Sequence, residues 1–192
     1  MFAIEFQEID ENGAFSPAIF AVSVVIAPSR DGLWYGDTEQ HELREVAGPG
    51  ETRRIVRWTG SDRTVRDSDV NAILAKWSES VEPDVRSYLA EYGRTHPRAD
   101  QFPACERIIA DLTGRLWVQG YVKDHEDDGL RRWVVFSPDG EQALARATLP
   151  ASLELMEIGN DWVPGVETND LGVESMVLYD LLTTSDELPG VR

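Results

Sequence analysis

The residue types that most often carry out chemistry are few in this chain and widely separated. The three histidines, His41, His96 and His125, stand far apart, and none has a second ligand at the spacing of a metal-binding pair. The single cysteine, Cys105, precedes an apolar stretch with no histidine nearby, so we interpret it as a small buried residue rather than a nucleophile. Ser-His-Asp triads, phosphate loops and paired catalytic carboxylates have no local signature. We therefore predict no catalytic, cofactor-binding or metal-ligating residues.

The densest acidic cluster is the segment 124–129, with the sequence DHEDDG. Carboxylate oxygens are ligands that Ca²⁺ prefers, so a calcium site is one interpretation of this segment. Its spacing is not that of an EF-hand loop, and it falls between two predicted strands of one hairpin. We therefore interpret it as a solvated loop.

Three tryptophans, Trp34, Trp117 and Trp162, recur in one local pattern: an apolar run, a polar turn, the indole, and a glycine two or three residues later. Trp117 and Trp162 are 45 positions apart, and the 83 positions between Trp34 and Trp117 include a segment of different character, 62–100. A repeat of about 45 residues is the size of a four-stranded propeller blade. The indoles could stack on a carbohydrate or another ligand, but their recurrence favours packing between sheets.

Within each repeat, short alternating runs and turn residues predict antiparallel strands. In the second unit, strands are predicted at 105–110, 116–122, 132–136 and 143–149, separated by turns that contain Gly114 and Gly140. The first unit predicts strands at 23–27, 33–37, 41–46 and 53–58. The third predicts only three, at 153–158, 162–167 and 174–181, before the tail 183–192.

The segment 62–100 has a helical period instead of an alternating one. Apolar residues follow helical spacing from Val70 to Val81 and again from Val85 to Tyr92, on either side of Pro83. We predict two amphipathic helices that lie across the sheets as a cap and bury Trp77 and Tyr88. Docking of a partner or a membrane by the same stripe is the alternative interpretation.

Several of these segments resemble the closing part of bacterial six-bladed β-propeller proteins of NHL-like or TolB-like organisation. The resemblance is carried by LTGRLWV at 112–118, RWVVFSPDG at 132–140 and ATLP at 147–150, and by IGNDWVPGV at 158–166, NDLGVE at 169–174 and VLYDL at 177–181. It implies a mainly β fold: a partial propeller of about three four-stranded antiparallel blades with a two-helix insertion. The family is largely uncharacterised, so the resemblance implies no particular activity.

The resemblance also implies a division of the chain as one domain, 1–192. Residues 15–61 form a blade, 62–100 the helical insertion, 101–150 a second blade, 151–182 an incomplete last blade and 183–192 a tail. Three blades are too few to close a propeller and leave two apolar faces of about 350 Å² each uncovered. We interpret the chain as a fragment of a longer six-bladed protein; a self-paired dimer and an open arc are the alternatives. We expect self-association through the open faces.

Composition limits the partners that the chain can bind. The formal charge is −17, from 35 acidic and 18 basic residues, which argues against nucleic acid. No apolar run reaches the length of a membrane span, and no signal peptide is visible, so the cellular location stays open.

Two function classes remain. The first is a non-enzymatic propeller that binds a protein or a small ligand; the second is a Ca²⁺-dependent lactonase or esterase of the kind that some six-bladed propellers form. A metal enzyme needs converging Glu, Asp and Asn side chains. Of Asn71, Asn160 and Asn169, only the last two lie in predicted β segments, and both resemble turn residues. The sequence therefore favours the binding class, with no cofactor.

Overall fold

A computed structural model describes residues 18–79, 81–169 and 171–181 of the chain. In this part the protein is mainly β, with two helices, α1 (Asp67–Glu79) and α2 (Pro83–Thr95), and a short 3₁₀ turn at Asp124–Glu126. The strands are β1 (Val24–Ser29), β2 (Gly32–Asp37), β3 (Glu42–Gly48), β4 (Glu51–Arg57), β5 (Arg107–Ala110), β6 (Leu116–Gln119), β7 (Leu130–Phe136), β8 (Ala143–Pro150), β9 (Leu153–Leu155), β10 (Trp162–Thr168) and β11 (Glu174–Asp180).

The strands form three antiparallel sheets of four, four and three strands. Their orders are β1-β2-β3-β4, β5-β6-β7-β8 and β11-β10-β9, so each strand pairs with the next one along the chain. Tight turns set this order: Gly114 and Gly140 adopt φ of +86° and +79°, a region that other residues enter at a cost. Local hairpins therefore account for the pairing of strands within each sheet.

The first and second sheets pack face to face. Trp34 and Leu43 from the first sheet meet Leu116, Val118 and Phe136 from the second in one buried apolar cluster. The first strands of the two sheets, β1 and β5, approach each other closely. The alternation of side chains along β1 explains this face-to-face packing, because Val25 and Ala27 are buried whereas Val24 and Ile26 are exposed.

The second sheet also packs on the third through its opposite face. Trp117, Trp133 and Val135 join Leu155 and Val163 of the third sheet in a second buried cluster. Trp34 and Trp117 thus both lie in the face that their sheet turns toward the next one, which confirms the packing interpretation for these two indoles. Trp162, the third repeat tryptophan, is only half-buried.

The two helices do not bury the residues that the sequence analysis assigned to their packed face. The prediction for Trp77 and Tyr88 is wrong: 36% of Trp77 and 64% of Tyr88 remain exposed. Helix α1 buries Val70 and Ile73 in a separate cluster with Phe102. Helix α2 packs on α1 rather than on a sheet, at a crossing where a side chain on Gly93 would overlap Leu74.

The predicted fold class is confirmed at the level of a mainly β chain with a two-helix insertion and three antiparallel sheets. The assignment of these sheets to propeller blades, with the boundaries given above, stays a prediction. Residues 15–17 of the first unit and the tail 183–192 lie outside the described residues. Among those that are described, no helix is long and apolar enough to cross a membrane.

Candidate functional site

A large cleft in the described part of the chain lies where the helical insertion meets the first sheet. It has a volume of about 770 Å³ and is lined by the segment 18–22 before β1, the turn between β2 and β3, and the segment that leaves α2. Its polar lining side chains are Glu39, Gln40, His41, Arg63, Arg98, Asp100 and Gln101. Three stretches distant in sequence, together with Arg63, therefore build one concave surface.

Arg63 ties these stretches together. Its guanidinium donates to the carbonyl oxygens of Phe102 (2.6 Å) and Glu39 (2.7 Å), to that of Thr38 at 3.4 Å, and to the side-chain oxygen of Gln101 at 2.9 Å. The planar fork of arginine suits several acceptors at fixed positions. Because these bonds occupy Arg63, we assign it to positioning the walls of the cleft.

His41 lies on the β2–β3 side of the cleft. Its ring meets the edge of Trp58 with centroids 5.4 Å apart, and a side chain on Gly60 would overlap the imidazole. Burial, and after it the charge of Arg63, lower the pKa of His41 below its usual value. The imidazole is therefore neutral at pH 7 and offers a hydrogen bond without a charge.

A second, smaller pocket of about 390 Å³ adjoins the cleft and shares Ala18 with it. Aromatic rings dominate its lining: Phe20, Trp77, Tyr92 and Tyr121, with Ile19, Ile73 and Lys76. Phe20 has φ of +61°, the one non-glycine residue of the described chain in the left-handed region. Its ring packs on Phe102 at 4.7 Å, and backbone bonds from Ile19 to Pro97 and from Ala99 to Ile19 hold the segment.

An aromatic ladder, Trp77, Tyr88, Tyr92 and His96, continues from this pocket along the helices. The Trp77 and Tyr92 centroids are 6.3 Å apart, those of Tyr88 and Tyr92 6.1 Å, and His96 stacks on Tyr92 at 4.1 Å. Helical spacing places Tyr88, Tyr92 and His96 on one face of α2 and its end. The helical hairpin thus presents aromatic rings to solvent beside a pocket.

The acidic segment 124–129 is a solvent-facing loop in which the carboxylates of Asp127 and Asp128 are paired with arginines. Asp127 accepts from Arg131 at 2.9 Å and from the Gly129 N–H, and these bonds lower the pKa of Asp127. Asp128 accepts from Arg132 and from the Leu130 N–H. The arginines therefore take the place that a cation would fill.

The other candidates are dispersed. His125 contacts Asp69 of α1 at 3.5 Å and Glu126 at 3.6 Å. Cys105 is buried, as predicted, and burial raises the pKa of its thiol to about 11. The amide oxygen of Asn169 accepts from the N–H groups of Leu171 and Val173, which is the role of a turn residue. Within the described ranges, no three His, Cys, Asp or Glu side chains form a metal-binding group.

Sequence reasoning missed the cleft, Arg63 and the strained Phe20. The only sequence signal that pointed to this place was the amphipathic stripe of the helices, for which docking was the alternative interpretation. No protein-family model matches the chain, and no curated protein matches it significantly. The resemblance to six-bladed propellers therefore stays a prediction.

Proposed function

We propose that the protein is a non-enzymatic binding module of β-propeller type whose ligand is a peptide segment of another protein. The propeller part of the proposal is supported by sheets that each run in chain order and pack face to face in succession. The observation that carries the binding role is the aromatic ladder beside the second pocket, in which Trp77 and Tyr88 are exposed to solvent. Exposed aromatic clusters next to a concave surface are typical of recognition sites.

The charge of the chain favours a basic peptide. At a net charge of −17, the field attracts cations, and the faces of tryptophan and tyrosine bind arginine and lysine side chains. Trp77 and Tyr88 are accessible for such contacts, while Gln40, Asp100 and Gln101 line the adjoining cleft with groups that can bond a peptide backbone. A peptide with arginines flanked by small polar residues fits both surfaces.

The non-enzymatic part rests on how the reactive groups are used. Arginines pair with Asp127 and Asp128 of the acidic loop, the Cys105 thiol is buried with a raised pKa, and His125 bridges two acidic residues. The competing assignment, a Ca²⁺-dependent ester hydrolase, requires bound metal and chelator-sensitive turnover. Those two observations together on the purified protein would overturn the non-enzymatic assignment.

The test is a titration of a fluorescein-labelled peptide of alternating arginine and glycine, followed by anisotropy at low ionic strength. We expect saturable binding, with a Kd raised about twofold to fivefold by Trp77→Ala or Tyr88→Ala, because each exposed cation–π contact contributes about 0.5–1 kcal/mol. The control is Leu112→Ala, which removes an exposed apolar residue between β5 and β6. Equal affinity of all three variants and wild type would refute the site, as would equal binding of a glutamate–glycine peptide.

A further inference from the structure

The two end sheets leave apolar faces in solvent. The outer face of the first sheet carries Val24, Ile26, Leu33, Tyr35, Val46 and Ile55, on the side away from the second sheet. The outer face of the third sheet carries Met156, Trp162, Pro164, Val166, Met176 and Leu178, on the side away from the second sheet. We call these the first-sheet face and the third-sheet face.

The strand register shows that the residues of the first-sheet face occupy the same positions as residues of the second sheet that are buried. Ala27 pairs with Trp34 as Ile109 pairs with Trp117, so Ile26 and Leu33 correspond to Ile108 and Leu116. Ile108 is 4% exposed and Leu116 0%, because the first sheet covers them, whereas Ile26 is 62% and Leu33 37% exposed. The first-sheet face therefore has the composition of a surface that another sheet covers.

The third-sheet face corresponds to the other face of the first two sheets, the one that carries their repeat tryptophans. Trp34 and Trp117 both lie in the face that their sheet turns toward the following sheet, and both are buried there. Trp162 lies in the corresponding face of the third sheet, where it rests on Gly159 and stays half-buried. Within the described ranges, one face thus lacks a preceding sheet and the other a following sheet.

From these observations we propose that two copies of this chain associate head to tail, with the third-sheet face of each copy on the first-sheet face of the other. The contact would repeat the packing step that joins the first sheet to the second and the second to the third. Two copies supply six sheets from the described part of the chain, a number within the range of closed propellers, while three is below it. The three-stranded face is about three quarters of the size of the four-stranded one, so two such contacts bury about 1,200 Å² in total, the lower end of standard interfaces.

Charge favours this head-to-tail contact over pairing of two third-sheet faces. The first-sheet face bears Arg44 and Arg57, with side chains 48% and 65% exposed, and also Glu42 and Asp37, so its formal charges balance. The third-sheet face bears Glu174 and Asp180, opposite Thr168 and Trp162 in the register. Residues 151–181 contain no lysine or arginine, so two third-sheet faces would repel each other.

Sedimentation velocity over a range of protein concentrations tests the proposal. We expect the wild type to form a dimer that does not grow further, and Ile26→Lys and Leu178→Lys each to raise the dissociation constant about 100-fold or more. Both residues are exposed, so circular dichroism should show native folds. Leu112→Lys is the matched control, since Leu112 is 63% exposed outside both faces, and it should dimerise like the wild type.

Mixing the two variants distinguishes the possible contacts. Ile26→Lys retains an intact third-sheet face and Leu178→Lys an intact first-sheet face, so an equimolar mixture should form a heterodimer through one contact. A wild type that stays monomeric would overturn the proposal and assign the faces to another occupant. Dimerisation of Leu178→Lys alone would indicate pairing of like first-sheet faces and would also overturn it. Polymers that grow with concentration would overturn the closed pair.

Discussion

Replacing Asp111 by alanine tests how the turn of the second sheet is held. The buried carboxylate of Asp111 accepts five hydrogen bonds: from the N–H and hydroxyl of Thr113, from the N–H and Nε of Arg115, and from the indole N–H of Trp117 at 3.0 Å. It thereby joins the β5–β6 turn to the indole that packs against the third sheet. The sequence pattern DLTGRLW at 111–117 encodes this whole arrangement.

We expect Asp111→Ala to lower the free energy of unfolding by about 3 kcal/mol. Each buried donor left without an acceptor costs about 1–3 kcal/mol, and removal of one member of a buried charge pair costs about 3–5 kcal/mol. The lower end applies because the Arg115 side chain is partly exposed and can turn to water. Domains of this kind have a total stability of about 5–15 kcal/mol, so the loss is measurable by urea unfolding with tryptophan fluorescence.

The control is Asp139→Ala in the β7–β8 turn. Asp139 is exposed and accepts from the Ser137 hydroxyl and the Glu141 N–H, so its loss should cost under about 1 kcal/mol. A loss below about 1 kcal/mol for Asp111→Ala, or equal losses for both variants, would refute the argument that the buried carboxylate network holds the turn.

The same network predicts a pH dependence. Burial acts to raise the pKa of Asp111, but the bonds from Thr113, Trp117 and Arg115 outweigh it and the pKa is lowered. A lowered pKa in the folded state means that the stabilisation is fully present above the unfolded pKa of about 4 and is lost as the pH falls through the folded value. The stability of wild type should therefore fall more steeply below pH 4 than that of Asp111→Ala, and parallel curves would contradict this.

Two further predictions concern the contact between the first and second sheets. Gly140→Ala should lower the free energy of unfolding by about 2–3 kcal/mol, because φ is +79° and the new Cβ would lie 2.5 Å from Val56. Gly50 has a similar φ of +81° but open space around it, so Gly50→Ala should cost only about 1 kcal/mol. Urea unfolding of both variants measures the difference. Cys105 should react with a thiol reagent at pH 8 only as fast as the protein opens, because burial raises its thiol pKa to about 11, and labelling at the rate of the urea-unfolded chain would contradict its place in the core.

The strands could be predicted because their signals are local. Gly114 and Gly140 mark turns, and alternation marks the buried face, so predicted strands at 33–37 and 132–136 overlap Gly32–Asp37 and Leu130–Phe136 closely. The strand predicted at 116–122 ends earlier, at Gln119, where the chain leaves the sheet for the acidic loop. Local residue preferences predict the existence of a strand more reliably than they predict the residue at which its pairing ends.

The cleft could not be predicted, because none of its walls is recognisable alone. Arg63 is an unremarked arginine in a polar stretch until folding brings the carbonyls of Glu39 and Phe102 to it. Helical periodicity identified the apolar faces of α1 and α2 but not the surfaces that cover them. Since α2 packs on α1, Trp77 and Tyr88 are left partly in solvent, opposite to the predicted cap.

The places where the repeat is regular and where it is interrupted have different roles. At the regular positions, packing between the sheets buries Trp34 and Trp117, and Asp111 is buried in a turn. A ligand could reach these side chains only if the sheets separated. At the interruption, the helices add aromatic rings that neither the sheets nor the helices cover fully. Recognition needs accessible groups on a rigid support. We therefore propose that binding occurs at the insertion and the cleft beside it, with the repeated sheets as the support.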